Sequence, residues 1–382
     1  LGQGTFSSVW LAEDLSPTSL NVKIKSSLST TSSLMRRLRG GVSGTRPGGA
    51  SASSSAGKTG DSVPAPVAMG RNGTLMPSPA PSRLVAVKLT SRGERARERD
   101  RTRVSFVREV EVMKHISHPN ITPLLSHLTT RTHHVLVLPY LPGGDLLGLV
   151  NDEVSWNYLS ERTLRRIFAE LCKAVGWLHG VGLVHRDIKL ESKYQLLDIT
   201  YDALTSIPRP SLPTSSQPLI KLTDFGLSRF IDPAKPLLTT RCGSEAYAAP
   251  ELVSESAGGY DARETDAWAC GVVLYALVAR RLPFGEGPGE TLGGGRISGE
   301  AGGERSFSPM QRRQWLMKIA RGEWHWPEAE NESRPSSVAG SELRGHDLVH
   351  SSGAKRAVGR LLVRDPSRRA RVKDLWDDEW VQ

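Results

Sequence analysis

A long stretch of low sequence complexity constrains the fold of this chain more than any other feature. From Ser16 to Ser82 the sequence is dominated by Ser, Gly, Pro, Ala and Thr and shows no sustained hydrophobic period. Such a segment cannot bury enough apolar surface to offset the entropy of ordering it, so we predict a disordered insert at about 16–82. Residues 1–15 alternate like a strand pair around a glycine turn, and RLVAVKL (83–89) is typical of a strand. Making the connecting loop about fifteen-fold longer costs about 2–3 kcal/mol, so these strands can still pair across the insert.

The remaining sequence predicts a globular protein with shorter inserts. The chain has 382 residues, of which 38% are hydrophobic, and it contains 37 Gly and 24 Pro. The amphipathic segment 161–182 and the apolar segment 265–280 predict helices, and HHVLVLPYL (133–141) predicts a buried strand. We predict three further inserts in weakly patterned stretches, at about 199–218, 285–309 and 328–352.

Charge and cysteine content limit the partners and the compartment. The formal net charge is +10, but basic residues alternate with Glu and Asp, as in GERARERDRTR (93–103), without interleaved aromatic residues. We therefore expect no nucleic-acid partner. No apolar run approaches the roughly 18 residues of a membrane span, so we expect no membrane partner either. Three widely spaced cysteines without metal-ligand spacing favour reduced thiols in the cytoplasm or nucleus. Because the first residue is Leu1 and not Met, we expect a fragment.

A set of short signatures follows in order along the chain. They are Gly2-Gln3-Gly4 with Val9, VAVK with Lys88, Glu109 on the next predicted helix, HRD with Asp187, DFG with Asp224 and APE with Glu251. Ser7 stands where the glycine turn would have a third glycine. The ordered set resembles that of the eukaryotic protein kinase family. Lys189 and GSEAYAAPE (243–251) resemble the serine/threonine type, and TTRCGSEAYAAPEL resembles the calcium/calmodulin-dependent-like branch.

The resemblance implies a fold and an activity. The expected fold is α+β and bilobal, with a small β-rich N-lobe at 1–138 and a larger α-helical C-lobe at 139–382. The expected enzyme is a serine/threonine protein kinase that transfers the γ-phosphate of ATP to hydroxyls of protein substrates, with ATP and Mg²⁺ as cofactors.

The resemblance also implies the site residues. Asp187 would accept the proton of the substrate hydroxyl, and Lys189 would neutralise the transferring phosphate. Lys88 would bind the α- and β-phosphates while Glu109 holds it, and Asp224 would bind Mg²⁺. The other expected nucleotide-binding residues are Leu1, Gly2, Gly4, Val9, Ala86, Leu138 and Asp145.

Further positions carry expectations about substrates, regulation and support. Asp145 and Glu191 resemble carboxylates that select Arg before the acceptor, so we expect a preference for a basic residue upstream. Thr240 resembles the activation-loop threonine on which an upstream kinase acts. The expected phosphate receivers are Arg186 and Arg229. The expected supporting residues are Asp266, which would brace the catalytic loop, and Arg369, which would pair with Glu251.

The catalytic loop, HRDIKLESKYQLLD (185–198), departs from the family at a metal-binding position. The family has an Asn that binds a second Mg²⁺, whereas this chain has Ser192 or, aligned backward from LLD, Tyr194. A serine hydroxyl can bind Mg²⁺ but reaches less far, and Gln195 offers an amide on a longer arm. Three interpretations stay open: an active kinase with Ser192 or Gln195 as metal ligand, a pseudokinase or nucleotide-binding scaffold with impaired transfer, and a nucleic-acid-binding module built on charge.

Overall fold

The computed structural model describes eight ranges of the chain: 2–3, 7–14, 22–24, 83–191, 218–254, 258–285, 308–327 and 342–382. The chain divides into two compact units. One comprises Leu1–Val9 and Ala86–Gln382, and the other comprises Trp10–Val85. The lobe boundary at residue 138 stays a prediction.

Five of the described strands follow one another in the main sheet. The described strands of the whole chain are β1 (Gly2–Gln3), β2 (Ser7–Asp14), β3 (Val22–Ile24), β4 (Arg83–Ser91), β5 (Ser126–Thr129), β6 (His133–Pro139), β7 (Leu183–Val184), β8 (Arg229–Phe230), β9 (Leu237–Leu238) and β10 (Tyr260–Asp261). The sheet order is β1-β2-β4-β6-β5. Val135, Leu136 and Val137 of β6 are all buried, so this strand is covered on both faces. The strands predicted at 83–89 and 133–141 are confirmed.

The smaller unit contains the pairing of β3 with β2. The two strands are antiparallel, with Ala12 opposite Ile24, and both Ala12 and Val85 are buried. β3 lies inside the segment 16–82, and the disordered insert at about 16–82 stays a prediction outside these three residues. The alternation Val-Lys-Ile is typical of a strand, but it is too short to stand out against the surrounding composition. The rest of that segment lies outside the described residues.

The helices belong to the larger unit. They are α1 (Ala96–His115), α2 (Leu146–Asn151), α3 (Glu153–Tyr158), α4 (Glu161–Gly180), α5 (Pro250–Val253), α6 (Ala262–Ala279), α7 (Pro309–Arg321) and α8 (Ser352–Leu361). The side chain of Ser160 accepts a hydrogen bond from the backbone N–H of Thr163 and so caps α4. α6 is apolar on nearly all sides and is buried in the core for that reason. The helices predicted at 161–182 and 265–280 are confirmed.

Some residues of the predicted inserts are folded. Ser308, at the end of the range 285–309, caps α7. Residues 342–352, at the end of the range 328–352, include a 3₁₀ turn in which Leu348 is fully buried. The assignment of 328–352 to an insert stays a prediction, but Leu348 packs into the core and Leu343 and Val349 lie against it. The other parts of these ranges lie outside the described residues.

A buried carboxylate on α4 holds the chain as it approaches the DFG motif. Glu170 Oε2 accepts hydrogen bonds from the backbone N–H groups of Leu219 and Ile220 at 2.6 and 3.0 Å and from Asn120 Nδ2 at 2.8 Å. Its Oε1 accepts from Arg166 Nε at 3.0 Å. Four donors therefore depend on one side chain.

Replacing Glu170 by Ala is expected to lower the free energy of unfolding by about 3–5 kcal/mol, because it leaves buried donors and the Arg166 charge without their acceptor. Glu170→Gln keeps one carbonyl acceptor and should lose less. Urea unfolding followed by fluorescence measures both variants. Arg165→Ala, an exposed change on the same helix, is the control. Equal stability of the Glu170→Ala and Arg165→Ala variants would contradict the assigned role.

Candidate active site

One lysine bridges two carboxylates that come from distant parts of the chain. Lys88 lies on β4, Glu109 on α1, and Asp224 directly before the 3₁₀ turn Phe225–Leu227. Lys88 Nζ lies 2.8 Å from Glu109 Oε1 and 2.9 Å from Asp224 Oδ1. The Lys88 side chain is 15% exposed and that of Asp224 is 47% exposed. The cation is thus fixed, while one carboxylate still faces solvent.

The charges of this triad stabilise one another. Burial opposes the charge on Lys88, but the carboxylates of Glu109 and Asp224 outweigh it and raise the lysine pKa. The Lys88 ammonium lowers the pKa of Asp224 to about 2 against the effect of burial, and His185 and Lys189 contribute in the same direction. Burial raises the pKa of Glu109, although the contact with the Lys88 ammonium opposes that shift. We infer that Lys88 and Asp224 are both ionised at neutral pH.

A second cluster surrounds the carboxylate of Asp187. Lys189 Nζ donates to Asp187 Oδ2 and to Ser244 Oγ, both at 2.9 Å. The backbone N–H and the hydroxyl of Ser244 each donate to Asp187 Oδ1 at 3.1 Å. The carboxylate, the ammonium and the hydroxyl are therefore joined to one another by hydrogen bonds.

A residue of α6, Asp266, holds the backbone of the loop that carries Asp187. Asp266 Oδ2 accepts from the backbone N–H of His185 at 2.9 Å, and its Oδ1 accepts from the backbone N–H of Arg186 at 2.8 Å. Arg186 and Asp224 both have left-handed backbone conformations, with φ of 70° and 64°. Such conformations cost free energy in non-glycine residues and persist where surrounding contacts enforce them. The predicted bracing by Asp266 is present.

The segment between DFG and APE contacts this loop at a glycine. Gly243 has φ of 97°, and a Cβ atom there would lie 2.6 Å from the carbonyl oxygen of Arg186. Only glycine allows this approach. Sequence reasoning did not assign Gly243 a role, although its position directly before Ser244 was the available signal. Arg186 Nη2 also donates to the backbone carbonyl of Thr240 at 2.7 Å, while the Thr240 side chain is exposed.

The other predicted nucleotide-binding residues that the structure describes lie mostly on strands of the sheet. Ala86 on β4 is buried, and Val9 on β2 and Leu138 on β6 are partly buried. Asp145 Oδ1 accepts from the backbone N–H of Gly148 at 2.7 Å and so caps α2. The backbone of Gly2 pairs with Val9 in the sheet. All these assignments stay predictions. Three further predicted residues lie outside the described ranges, namely Leu1, Gly4 and Ser192.

The metal assignment depends on Asp224 among the residues that the structure describes. No cluster of three or more His, Cys, Asp or Glu side chains suited to a metal ion occurs in the described ranges. A half-exposed, ionised carboxylate is nevertheless the type of oxygen ligand that Mg²⁺ prefers. Lys88 and Lys189 both act on Asp224 electrostatically, so cations for phosphate oxygens lie around the same carboxylate. One carboxylate suited to Mg²⁺ and two ammonium groups suited to phosphate oxygens are therefore present among the described residues. None of the helices in the described part of the chain has the length and apolarity to cross a membrane.

Comparisons with known proteins identify the family. The model of the protein kinase domain family matches residues 76–381. This chain is 31% identical over 300 residues to the "Fatty acyl-CoA synthetase and RNA processing-associated kinase 1" of Saccharomyces cerevisiae. The aligned region covers 78% of this chain and 28% of that protein. It is 30% identical over 275 residues to "CBL-interacting protein kinase 8" of Oryza sativa subsp. japonica, covering 72% and 47%. It is 36% identical over 200 residues to "Serine/threonine-protein kinase KIN4" of Saccharomyces cerevisiae, covering 52% and 22%.

These similarities show to which protein family the chain belongs. The chain spans about half the length of these relatives or less. The predicted α+β kinase fold and the resemblance to serine/threonine kinases of the calcium/calmodulin-dependent-like branch are confirmed. The comparisons do not favour the pseudokinase interpretation over a kinase. Protein kinases generally use ATP and Mg²⁺ and act on protein substrates. Its match to the family over residues 76–381, together with these relatives, shows that this chain belongs to the protein kinase domain family.

Proposed function

We propose that this protein transfers the γ-phosphoryl group of ATP to serine or threonine hydroxyls of protein substrates. The observation that carries the proposal is the hydrogen-bonded set of Asp187, Lys189 and Ser244. It places a carboxylate proton acceptor beside an ammonium group that can neutralise a phosphate. Because Ser244 donates two hydrogen bonds to Asp187, the orientation of the Asp187 carboxylate is set before the reaction.

The transfer assigns a task to each of these groups. The acceptor oxygen forms a bond to the γ-phosphorus, and the bond from that phosphorus to the β,γ-bridging oxygen breaks. ADP leaves with the electron pair, and the acceptor proton passes to Asp187. Lys189 stabilises the charge on the transferring phosphoryl oxygens, and Lys88 holds the α- and β-phosphates.

Asp224 would hold Mg²⁺ in this proposal. Bound Mg²⁺ supplies charge neutralisation for the phosphate oxygens. The low pKa of Asp224 keeps its carboxylate ionised and available as a ligand over the whole physiological pH range. A second metal ligand from Ser192 or Gln195 stays a prediction, because both lie outside the described residues.

Substrate preference, regulation and location are parts of the same proposal. A basic residue upstream of the acceptor would contact Asp145 and Glu191, whose side chains are partly exposed. An upstream kinase would phosphorylate the exposed Thr240, and the resulting phosphate would be close to Arg186, which already contacts the backbone of Thr240. Cytoplasm or nucleus is the proposed location, on the ground of the three free cysteines.

The first experiment measures transfer directly. Purified protein is mixed with Mg-ATP and a serine peptide that carries Arg three residues before the acceptor, beside the variant Ser192→Asn. We expect transfer by both proteins, because Lys88, Asp187, Lys189 and Asp224 are unchanged. Transfer by Ser192→Asn alone would identify the natural chain as a pseudokinase. Absence of transfer by both would reject the proposed activity.

A further inference from the structure

A groove beside the cluster of Asp187, Lys189 and Ser244 has no assigned occupant. It has a volume of about 300 Å³ and runs between the segment 241–253 and helix α7. Its apolar floor consists of Ala248, Leu252, Val253 and Leu316, and its sides carry Arg241 and Glu245. We refer to it as the Arg241 groove. Gly243 lines both this groove and the small cleft that contains Asp187 and Ser244. The groove therefore adjoins the cleft that contains Asp187, and a side chain close to the acceptor of a substrate could reach it.

The charges around the groove do not cancel. Glu245 forms an ion pair with Arg312 of α7, and both of its oxygens accept hydrogen bonds from that guanidinium group. Arg241 Nη2 donates to the backbone carbonyl of Ser254 at 2.7 Å. Within the part of the chain that the structure describes, no carboxylate is paired with Arg241. Among the described residues, the groove is lined by one guanidinium group, Arg241, and by one carboxylate, Glu245, which is already paired with Arg312. The described charges therefore leave one positive charge in excess.

The geometry of α7 keeps this arrangement in place. Arg312 and Leu316 are four residues apart, so they lie on the same face of the helix. That face supplies both the partner of Glu245 and part of the apolar floor. Since Glu245 is already neutralised by Arg312, it cannot also neutralise Arg241.

We infer that the Arg241 groove binds an acidic side chain of the substrate, within one or two residues of the acceptor. The inference rests on the proposed function and defines its substrate class more narrowly. An Asp or Glu carboxylate can accept two hydrogen bonds from the guanidinium group of Arg241, while its methylene groups cover the apolar floor. A Lys or Arg at the same place meets an excess positive charge and is rejected. The preferred substrate then has a basic residue on one side of the acceptor and an acidic residue on the other.

A peptide series tests this preference. Each peptide keeps Ser as the acceptor and Arg three residues upstream, and one neighbouring position at a time carries Glu, Ala or Lys. The parent protein is expected to show a kcat/KM about tenfold higher for the Glu peptide than for the Ala peptide at one neighbouring position, and a lower value for the Lys peptide. Arg241→Gln should bring the ratio of Glu to Ala close to one, because glutamine retains a donor for the Ser254 carbonyl but has no charge.

Two further variants separate charge from folding. Glu245→Gln removes the only carboxylate assigned to the groove and should raise the ratio of Glu to Ala above that of the parent. Arg313→Gln changes an exposed arginine of α7 by the same chemistry and should keep the parent ratio. Thermal melting of all variants shows whether they fold.

The outcomes distinguish the inference from the function on which it depends. Equal kcat/KM for Glu, Ala and Lys peptides at every position, with efficient transfer, overturns the inference and leaves the kinase assignment standing. A parent-like ratio in folded Arg241→Gln also overturns it. Absence of transfer to every peptide rejects the proposed function, and the inference with it.

Discussion

The variant Asp187→Asn is expected to lower kcat for phosphate transfer by about 10²–10⁴, because a carboxamide cannot accept the proton of the substrate hydroxyl. The change preserves the size of the side chain, and the amide oxygen can still accept hydrogen bonds from Ser244, which now donates at 3.1 Å to Asp187 Oδ1. The loop should therefore keep its place. Initial rates with Mg-ATP and the Arg-containing serine peptide give kcat, and a thermal shift with ATP gives nucleotide binding.

A control variant shows whether kcat falls because the proton acceptor is lost or because any negative charge is lost. Asp100→Asn makes the same substitution at an exposed position of α1 and is expected to leave kcat unchanged. ATP should shift the melting temperature of the Asp187→Asn and Asp100→Asn variants equally, because neither change touches Lys88. If Asp187→Asn retains kcat within a few-fold of the parent, the assignment of Asp187 as the proton acceptor is wrong.

Arg369→Ala is expected to lower the free energy of unfolding by about 3–5 kcal/mol, because it leaves a carboxylate without its buried partner. The guanidinium group of Arg369 is fully buried, and its Nη1 and Nη2 atoms donate to Glu251 at 2.7 and 2.9 Å. It also donates to the backbone carbonyls of Glu264 and Val363 and lies over the ring of Trp268. All these partners lose a contact at once. Equilibrium unfolding in urea measures the loss.

Two matched variants show whether the geometry or the charge of Arg369 matters. Arg368→Ala removes the exposed neighbouring arginine and is expected to change stability by less than about 0.5 kcal/mol. Arg369→Lys keeps the charge but cannot donate two parallel hydrogen bonds to Glu251, so it should recover part of the loss. Equal stabilities of the Arg369→Ala and Arg368→Ala variants would show that the buried ion pair does not support the fold.

Some functional residues could be predicted from the sequence and others could not, for a physical reason. Lys88, Asp187 and Asp224 stand in short motifs whose local sequence resembles a known set, so their identity could be read without coordinates. Glu170 stands in no such motif. Its only signal is an acidic residue among the apolar positions of α4, and its partners at 120 and 219–220 come from remote segments. Which donors a buried carboxylate serves depends on packing, and a sequence pattern does not contain that information.

The boundaries of the inserts show the same limit. The composition of 328–352 predicts an insert, because polar residues outnumber apolar ones. Yet Leu348 is fully buried, and the described residues 342–352 lie against the helical core. A few apolar side chains in suitable positions, here Leu343, Leu348 and Val349, can anchor a segment whose average composition is polar. Averages over a window cannot detect a contact that a single residue makes.

The sequence by itself determined the family, the main strands and helices that carry its motifs, and the chemical type of each expected catalytic group, because these follow from local patterns. Only the tertiary structure decided the charge pairs that no motif implies. It joins Lys88 to Asp224 at 2.9 Å, although 136 positions separate them, and it pairs Glu245 with Arg312, while Arg241 donates to the backbone carbonyl of Ser254. Electrostatic interactions depend on distance through space, and that distance exists only after the chain has packed.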